Sequence, residues 1–350
     1  MHNRLRKRRF RKSSNQEKRK TFNIDKKGKI RYLWHTMSQV LFFSGNSNQK
    51  FAEDVAKEAG SELSPILLKR FADGEVQAEV QTNVRGADVF FIQSTCNPTN
   101  ENYMETFVVM DALKRASAKR ITAVMPYYGY ARQDRKVAPR SPISAKLVAD
   151  LLTTAGATRV LSVDLHAGQI AGFFNIPVDH IYAIPTLARR WREAYGYGDD
   201  FIAVSPDAGG VERTRAFAKR IDCSIAIVDK RRSGPNEAKA YHVIGDVSGK
   251  NAIIVDDMID TAGTLTEAVD SLIKNGAKKV FAVATHPLFS GPAISRITES
   301  QIEKILVTDT IPLRENAQAC SKVEVVSVAP VVAQTILRIH GNESVSAMFT

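Results

Sequence analysis

Acidic and hydroxyl side chains cluster directly after one apolar segment. Residues 252–255 (Ala-Ile-Ile-Val) precede Asp256 and Asp257, and the run 260–264 (Asp-Thr-Ala-Gly-Thr) leads into a helical pattern. Small residues let backbone N–H groups close around an anion, and a helix start adds positive potential. Adjacent carboxylates at a strand end suit sugar hydroxyls or a hard cation. Because helix capping explains only one of the three acids, we predict that the loop binds phosphate and its acids bind hydroxyls or a cation.

Three consecutive cations, Lys230, Arg231 and Arg232, follow a second apolar segment. Such a run is usually a solvated face. Phosphoryl transfer, however, needs positive charge directed at the transferring group, and the loop at residues 233–236 (Ser-Gly-Pro-Asn) can bring that charge to a substrate. We therefore predict a catalytic role for this loop.

An aromatic and two acidic side chains alternate in residues 70–75 (Arg-Phe-Ala-Asp-Gly-Glu). Phe71 can stack on a base while Asp73 and Glu75 accept hydrogen bonds from an amino group. A turn at Asp73-Gly74 accounts for those two residues alone. The segment thus has both a nucleotide-binding and a structural interpretation.

His166 and Asp207 each end an apolar segment, at the strand position where ligands of α/β proteins usually bind. A single histidine at such a position is more often a hydrogen-bonded structural residue. Residues alone leave both interpretations open.

The elements that must position these side chains alternate along the chain beyond Gln39. Strands are predicted at residues 40–44, 88–93, 120–125, 160–164, 201–205, 224–229, 252–256 and 280–285. Helices are predicted between them at residues 49–59, 102–116, 144–155, 211–220 and 265–275. This alternation predicts an α/β fold built from βαβ units, with mainly parallel sheets flanked by helices.

An internal repeat indicates two similar domains. Residues 141–166 align without gaps to residues 261–286, and seven of the 26 positions are identical. Any helix, glycine turn and strand would look partly alike, so a chance match stays open. We predict a segment 1–36 that is disordered or non-native, a first domain at 37–180 and a second at 181–350, whose terminal segment packs on the first. The repeat also predicts a degenerate anion site at Ser141 to Ser144.

Several segments together resemble one enzyme family. The strand and loop at 252–264 resemble the phosphoribosyl-binding signature of type I phosphoribosyltransferases. Five further segments resemble the ribose-phosphate diphosphokinases, also called phosphoribosyl diphosphate synthetases, and they lie at residues 70–75, 125–135, 162–167, 205–210 and 228–232. The resemblance implies a phosphoribosyltransferase-like fold in each domain and a transferase (kinase) of nucleotide biosynthesis, which moves the diphosphoryl group of MgATP to O1 of ribose 5-phosphate.

The resemblance also assigns roles to single residues. The expected catalytic residues are Lys230 and Arg232. The expected ATP-binding residues are Phe71, Asp73, Gly74, Glu75, Arg132 and Gln133. The expected ribose 5-phosphate-binding residues are Asp256, Asp260, Thr261, Ala262, Gly263 and Thr264. Magnesium is the implied cofactor, near His166 and Asp207, and a homo-oligomer, a hexamer in this family, is the implied assembly.

Two alternative functions stay open. A phosphoribosyltransferase that consumes phosphoribosyl diphosphate predicts a single α/β domain, and it leaves residues 71–75 and 230–232 without a role. A non-catalytic regulatory relative is expected to have lost the charged loop or the Asp256–Asp257 pair, and both are present.

The net charge of +12 lies entirely in the first 31 residues, which hold 14 of the 49 basic and 2 of the 37 acidic side chains. The remainder carries no excess that would favour nucleic acid as a partner. No uncharged apolar run approaches the roughly 18 to 20 residues of a membrane span, so no membrane partner is expected. Three scattered cysteines indicate a reducing compartment, and we expect a cytoplasmic protein.

Overall fold

The structure is a computed structural model that describes residues 18–24, 30–36, 39–231 and 240–349. Near the amino terminus, β1 (Lys18–Ile24) and β2 (Ile30–Thr36) form a two-stranded antiparallel sheet. The rest of residues 1–36 lies outside the described residues, and whether the segment is disordered or non-native stays a prediction.

The first domain is built around a five-stranded sheet in which every neighbouring pair of strands is parallel. Its elements in chain order are β3 (Val40–Ser44), α1 (Gln49–Glu58), β4 (Ile66–Arg70), β5 (Val76–Val80), β6 (Asp88–Ile92), α2 (Thr99–Arg115), β7 (Arg120–Met125), α3 (Ser144–Ala155), β8 (Arg159–Val163), a 3₁₀ helix (Gly168–Phe173) and β9 (Val178–Ile181). The sheet order is β3-β6-β7-β8-β9, and β4 and β5 form a separate antiparallel hairpin.

The second domain has a seven-stranded sheet in which only β12 is antiparallel to its neighbour. Its elements are α4 (Ile184–Tyr195), β10 (Phe201–Ser205), α5 (Val211–Ile221), β11 (Ser224–Arg231), β12 (Ala240–Ile244), β13 (Asn251–Ile259), α6 (Gly263–Lys274), β14 (Lys279–Pro287), α7 (Ala293–Glu299), β15 (Ile302–Thr308), α8 (Glu315–Gln318), β16 (Val323–Val326), α9 (Ala329–Gly341) and a 3₁₀ turn (Ser346–Met348). The sheet order is β12-β11-β10-β13-β14-β15-β16. Two domains with mainly parallel sheets confirm the predicted fold class.

Helices cover both faces of each parallel sheet, and for this reason the central strands are mainly apolar and are buried along their whole length. Strand β6 (Asp-Val-Phe-Phe-Ile) is buried at all five positions, and so is β10. One core cluster runs through both domains and includes Phe51 of α1, Trp191 of α4 and Val332 of α9. Helix α9 packs against α1, so the carboxyl-terminal segment lies on the first domain.

The repeat identified in the sequence corresponds to one structural unit in each domain. Helix α3 followed by β8 matches α6 followed by β14. Gly156 and Gly276 follow the two helices with φ of +128° and +89°, a backbone conformation that favours glycine. In both units the same order of helix, glycine turn and strand therefore leads to a histidine, His166 after β8 and His286 near the end of β14.

In the part of the chain that the structure describes, no helix is both long and apolar enough to cross a membrane.

Candidate active site

A cavity of about 300 Å³ lies at the carboxyl ends of β10 and β13. Parallel strands present their ligand-binding residues at this edge, because loops and helix starts converge there. The described side chains and backbone around it include Arg132, Pro206, Asp207, Asp256, Met258, Ile259, Asp260, Thr261, Ala262, Gly263, Thr264 and Leu265. Arg132 belongs to the first domain, so both domains contribute to the cavity.

The loop before α6 lines the cavity. Ala262 has φ of +58°, a left-handed conformation that costs roughly 1–2 kcal/mol for a residue with a side chain. Two hydrogen bonds hold this loop. Arg296 donates from Nη1 to the Thr261 carbonyl oxygen at 3.0 Å. The Ser290 N–H donates to the Asp260 carbonyl oxygen at 2.9 Å. Since the first N–H groups of a helix have no partner within the helix, the start of α6 offers donors to an anion.

One ion pair joins the domains across the cavity. Arg132 donates from Nη1 to Asp260 Oδ2 at 2.6 Å. Burial alone would raise the pKa of Asp260. The hydrogen bond from Ser290 and the Arg132 charge together outweigh burial, so the pKa lies below its usual value. Asp260 is therefore an ionised acceptor at neutral pH.

Asp256 and Asp257 are adjacent on β13, where successive side chains point to opposite faces. Asp257 is buried, and its Oδ2 accepts a hydrogen bond from His166 Nδ1 at 2.8 Å. Arg213 Nη1 lies 3.4 Å from Asp257 Oδ1 and 3.5 Å from Asp256 Oδ1. The strand thus directs Asp256 to the cavity and Asp257 to His166.

The pKa values of the two carboxyl groups are shifted in opposite directions. Burial raises the pKa of Asp257, but the hydrogen bond from His166 and the Arg213 charge outweigh burial and hold it below its usual value. Burial and the neighbouring Asp257 charge raise the pKa of Asp256 well above its usual value. The hydrogen bond to Asp257 in turn raises the pKa of His166. Negative charge in this pair therefore concentrates on Asp257.

The predicted metal ligands fit a cation that takes few ligands from the protein. A carboxylate on Nδ1 is the arrangement that orients metal-bound histidines, and it leaves Nε2 of His166 for a ligand. Asp207 lines the cavity, and its Oδ1 accepts a hydrogen bond from the Gly210 N–H at 2.9 Å. Over the described ranges there is no group of three or more His, Cys, Asp or Glu that could hold a metal ion. Mg²⁺ commonly completes its shell with water and phosphate oxygens.

The structure does not bring every expected residue to the cavity. Residues 71–75 form the tip of the β4–β5 hairpin, where the Phe71 N–H donates to the Glu75 carbonyl oxygen at 2.8 Å and half of Phe71 is exposed. None of these five residues is among those that line the cavity. Gln133 bonds to the start of α3, where Ser144 Oγ donates to its Oε1. The backbone of Lys230 lies in β11, but its side chain, like Arg232, lies outside the described residues.

Three structural partners were not among the expected site residues. Asp257 directly follows Asp256, which was an expected site residue. Because successive side chains of a strand point to opposite faces, the sequence could have predicted different roles for the two acids. Arg213 and Arg296 lie on helices α5 and α7, where arginines are common, so the sequence carried no signal for them.

Comparisons with known proteins agree with this geometry. Residues 40–156 match the model of the N-terminal domain of ribose phosphate pyrophosphokinase, and residues 230–350 match the phosphoribosyl synthetase-associated domain. The chain is 52% identical over 312 residues to a ribose-phosphate pyrophosphokinase of Fusobacterium nucleatum subsp. nucleatum, covering 89% of this chain and 98% of the relative. It is 53% identical over 313 residues to the protein of the same name from Caldanaerobacter subterraneus subsp. tengcongensis, with the same coverage.

A solved structure with the same architecture is the phosphoribosylpyrophosphate synthetase from Mycobacterium smegmatis. It superimposes with a TM-score of 0.82 at 42% identity, over 87% of this chain and 100% of that one. The likeness therefore covers both domains.

Proposed function

The chain belongs to the ribose-phosphate pyrophosphokinase family, and we propose that it transfers the diphosphoryl group of ATP to O1 of ribose 5-phosphate, giving 5-phosphoribosyl 1-diphosphate and AMP. The observation that carries the proposal is the single cavity in which Asp256, Asp260 and the start of α6 meet Arg132 of the other domain. Acceptors for sugar hydroxyls and donors for a phosphate lie side by side there.

Ribose 5-phosphate binds to the second domain. Asp256 and Asp260 accept hydrogen bonds from ribose hydroxyls, and residues 261–264 donate to the 5-phosphate through backbone N–H groups and two threonine hydroxyls. Arg296, which holds the Thr261 carbonyl, keeps this loop in place. O1 of the ribose is then directed toward the rest of the cavity.

ATP supplies the electrophile, and the ribose O1 attacks its β-phosphorus in line while the bond to the α-phosphate oxygen breaks and AMP leaves. The O1 proton is released to water as the new O–P bond forms, and AMP leaves with the bridging oxygen. Lys230 and Arg232 stabilise the charge that develops on the transferring group. The ATP contacts are assigned to Phe71, Asp73, Gly74, Glu75, Arg132 and Gln133, which remains a prediction for all six.

His166 and Asp207 are the residues that would hold magnesium, and Asp257 orients His166. Bound with ATP, Mg²⁺ would neutralise phosphate charge. We further propose a homo-oligomer, for which the family's hexamer is the expectation, and a cytoplasmic location; neither nucleic acid nor a membrane is a proposed partner.

Two incubations, with different substrate sets, test the proposal. The protein is supplied with ATP labelled in its β-phosphate, ribose 5-phosphate and Mg²⁺, and the products are separated by ion-exchange chromatography. Equimolar AMP and labelled phosphoribosyl diphosphate are expected. ADP as product would contradict the proposal. Pyrophosphate release from phosphoribosyl diphosphate and a base would instead identify a phosphoribosyltransferase, and no turnover of either substrate set would identify a non-catalytic relative.

A further inference from the structure

A buried polar network joins the two domains. Asp164, directly after β8, accepts at Oδ2 from Thr285 Oγ1 at 2.6 Å and from the Ala183 N–H at 3.0 Å. Its carbonyl oxygen lies 3.0 Å from His286 Nε2, and His286 Nδ1 lies 2.9 Å from Thr310 Oγ1. The side chains of Asp164, Thr285, His286 and Thr310 are all buried, so these contacts are shielded from water.

The proton positions in this network follow from its acceptors. A carbonyl oxygen can only accept, so His286 Nε2 carries a proton and donates to Asp164. Burial lowers the pKa of His286, so the ring is neutral and Nδ1 accepts from the Thr310 hydroxyl. Thr308 Oγ1 then donates to the Thr285 carbonyl oxygen at 2.7 Å. Every polar side-chain group in this chain of contacts has a partner, which specifies one arrangement of the two domains.

The network contacts Asp164, a residue whose backbone conformation is strained. Asp164 has φ of +39°, in the left-handed region that residues with a side chain avoid. Two residues later the chain places His166 Nδ1 at 2.8 Å from Asp257 Oδ2 of the second domain. Between them, the Leu165 N–H donates to His180 Nε2 at 2.9 Å. Such strain persists when surrounding contacts over-determine it, and here Thr285 and His286 supply those contacts from the other domain.

We propose that Thr285 and His286 are positioning residues, which hold the backbone at Asp164 so that His166 meets Asp257 beside the ribose-phosphate loop. Within the described part of the chain, neither residue lines the cavity. Their effect on the reaction passes through His166, and the inference about turnover rests on the proposed function. The expected signature is a loss in kcat with a smaller change in KM, because the substrate-binding loop itself is unchanged.

The test compares three substitutions of buried threonines. Thr285→Val keeps the shape and removes the donor to Asp164, whereas Thr285→Ser keeps the donor. Thr106→Val is the matched control, since Thr106 is equally buried and its hydroxyl bonds within α2, to the Asn102 carbonyl oxygen at 2.7 Å. Thr285→Val is expected to lower kcat about 10- to 100-fold, Thr285→Ser to restore it, and Thr106→Val to leave it within about twofold, with similar melting temperatures for both valine variants.

A substrate-free measurement accompanies the kinetics. The NMR signal of the His166 imidazole, assigned by its loss in His166→Asn, is expected to shift in Thr285→Val and to stay in place in Thr106→Val. An unchanged His166 signal in folded Thr285→Val overturns the proposal, whatever kcat does. If the wild-type protein forms no AMP, the proposed function fails, and the NMR comparison still decides the positioning role. Should Thr285→Val fail to fold, Thr310→Val and Thr310→Ser carry the same comparison through His286.

Discussion

The two halves of the internal repeat start their helices in different surroundings. In the first half, Gln133 occupies the start of α3: its carbonyl oxygen accepts from the Ala145 N–H at 3.2 Å, and its side chain accepts from Ser144 Oγ. In the second half, residues 261–264 before and at the start of α6 line the cavity. The position equivalent to Asp260 is Arg140 in the first half. A helix start with hydroxyls becomes a ligand site only where the chain does not satisfy those groups itself.

The two histidines that end the repeat diverge in the same way. His166 is partly exposed and bonds to an acid of the other domain, which raises its pKa. His286 is buried, and burial lowers its pKa. Equivalent positions in the repeat thus give one partly exposed histidine and one buried histidine. Residues 260–264 of the second domain line the cavity, and Arg132 of the first domain contacts Asp260 there.

The largest difference in kcat between matched substitutions in the two domains is expected in the charged loop of the second domain. Lys230→Ala is expected to lower kcat about 10²- to 10³-fold, since a contact made in the transition state contributes about 3–4 kcal/mol. Lys146→Ala in the first domain is the control, because Lys146 pairs with Asp150 on the surface of α3. Steady-state AMP formation measures both. Near-normal turnover of Lys230→Ala would remove the catalytic role of that loop.

The acids of the second domain give the next largest effect. Asp260→Asn keeps the shape but removes the charge that accepts from Arg132 and, in the proposed function, from a ribose hydroxyl. Hydrogen bonds to charged groups contribute about 1.5–3 kcal/mol, so the KM for ribose 5-phosphate is expected to rise about 10- to 100-fold. Asp150→Asn, an exposed acid in the first half of the repeat, is expected to leave that KM unchanged. An unchanged KM in Asp260→Asn would contradict the assignment of the ribose contact.

The sequence predicted most of the central strands correctly, and the ribose 5-phosphate role of residues 256–264 stays a prediction. Strands β3, β7 and β10 and helix α3 have the predicted bounds, because apolar runs and amphipathic periods mark elements that pack against a core. The hairpin β4–β5 and the edge strands β9, β12 and β16 were not predicted, since their half-exposed residues lack a continuous apolar run. Strand β15 and helices α4, α7, α8 and α9 were also not predicted.

The cavity was predictable only in part, and the reason is its position between domains. The run 256–264 is contiguous in the sequence, so its chemistry could be recognised from types and spacing. The pairing of Arg132 with Asp260 joins residues 128 positions apart, and the pairing of His166 with Asp257 joins residues 91 apart. A pattern within one segment carries no information about which distant segment it will face.

The amino edge of the first sheet offers a contrast to the cavity edge. Asp88, at the start of β6, is buried and accepts from Arg120 Nε at 3.0 Å and from His340 Nδ1 of α9 at 2.8 Å. Burial alone would raise the pKa of Asp88. These hydrogen bonds outweigh burial, so the pKa lies below its usual value. The ionised group therefore contributes stability above about pH 4, which is lost as the pH falls through the lowered pKa.

Asp88→Asn tests this structural role. The free energy of unfolding at pH 7 is expected to fall by about 1.5–3 kcal/mol, and the difference from wild type is expected to shrink below about pH 4. Urea unfolding at pH values from 3 to 7 measures it, with kcat expected to stay within about twofold in folded protein. A difference that is constant across this pH range would show that the Asp88 charge contributes nothing.

The two helix starts can be compared directly by removing one hydroxyl from each. Thr264→Val is expected to raise the KM for ribose 5-phosphate about 3- to 10-fold, since one hydrogen bond contributes about 0.5–1.5 kcal/mol. Ser144→Ala leaves Gln133 Oε1 without this donor, so it is expected to lower stability by about 1 kcal/mol without changing that KM. A rise in KM for Ser144→Ala of the same size would mean that the first half retains an anion site.

The smallest effect is expected at Ala262, where three contributions nearly cancel. Glycine would relieve the left-handed conformation at φ of +58°, a gain of roughly 1–2 kcal/mol. It would lose about 0.4–1 kcal/mol through the greater freedom of the unfolded chain and about 0.8 kcal/mol through the buried methyl group. Ala262→Gly is therefore expected to change the free energy of unfolding by no more than about 0.8 kcal/mol in either direction.

Ala268→Gly supplies the control, because Ala268 is equally buried in α6 but has helical φ. There glycine loses helix propensity and the methyl group with no strain to relieve, so a loss of about 2 kcal/mol is expected in the same urea unfolding measurement. Equal losses at the two positions would mean that Ala262 carries no left-handed strain. Arg296 and Ser290 hold the loop before α6 in this form at the cavity, whereas the start of α3 is already bonded to Gln133.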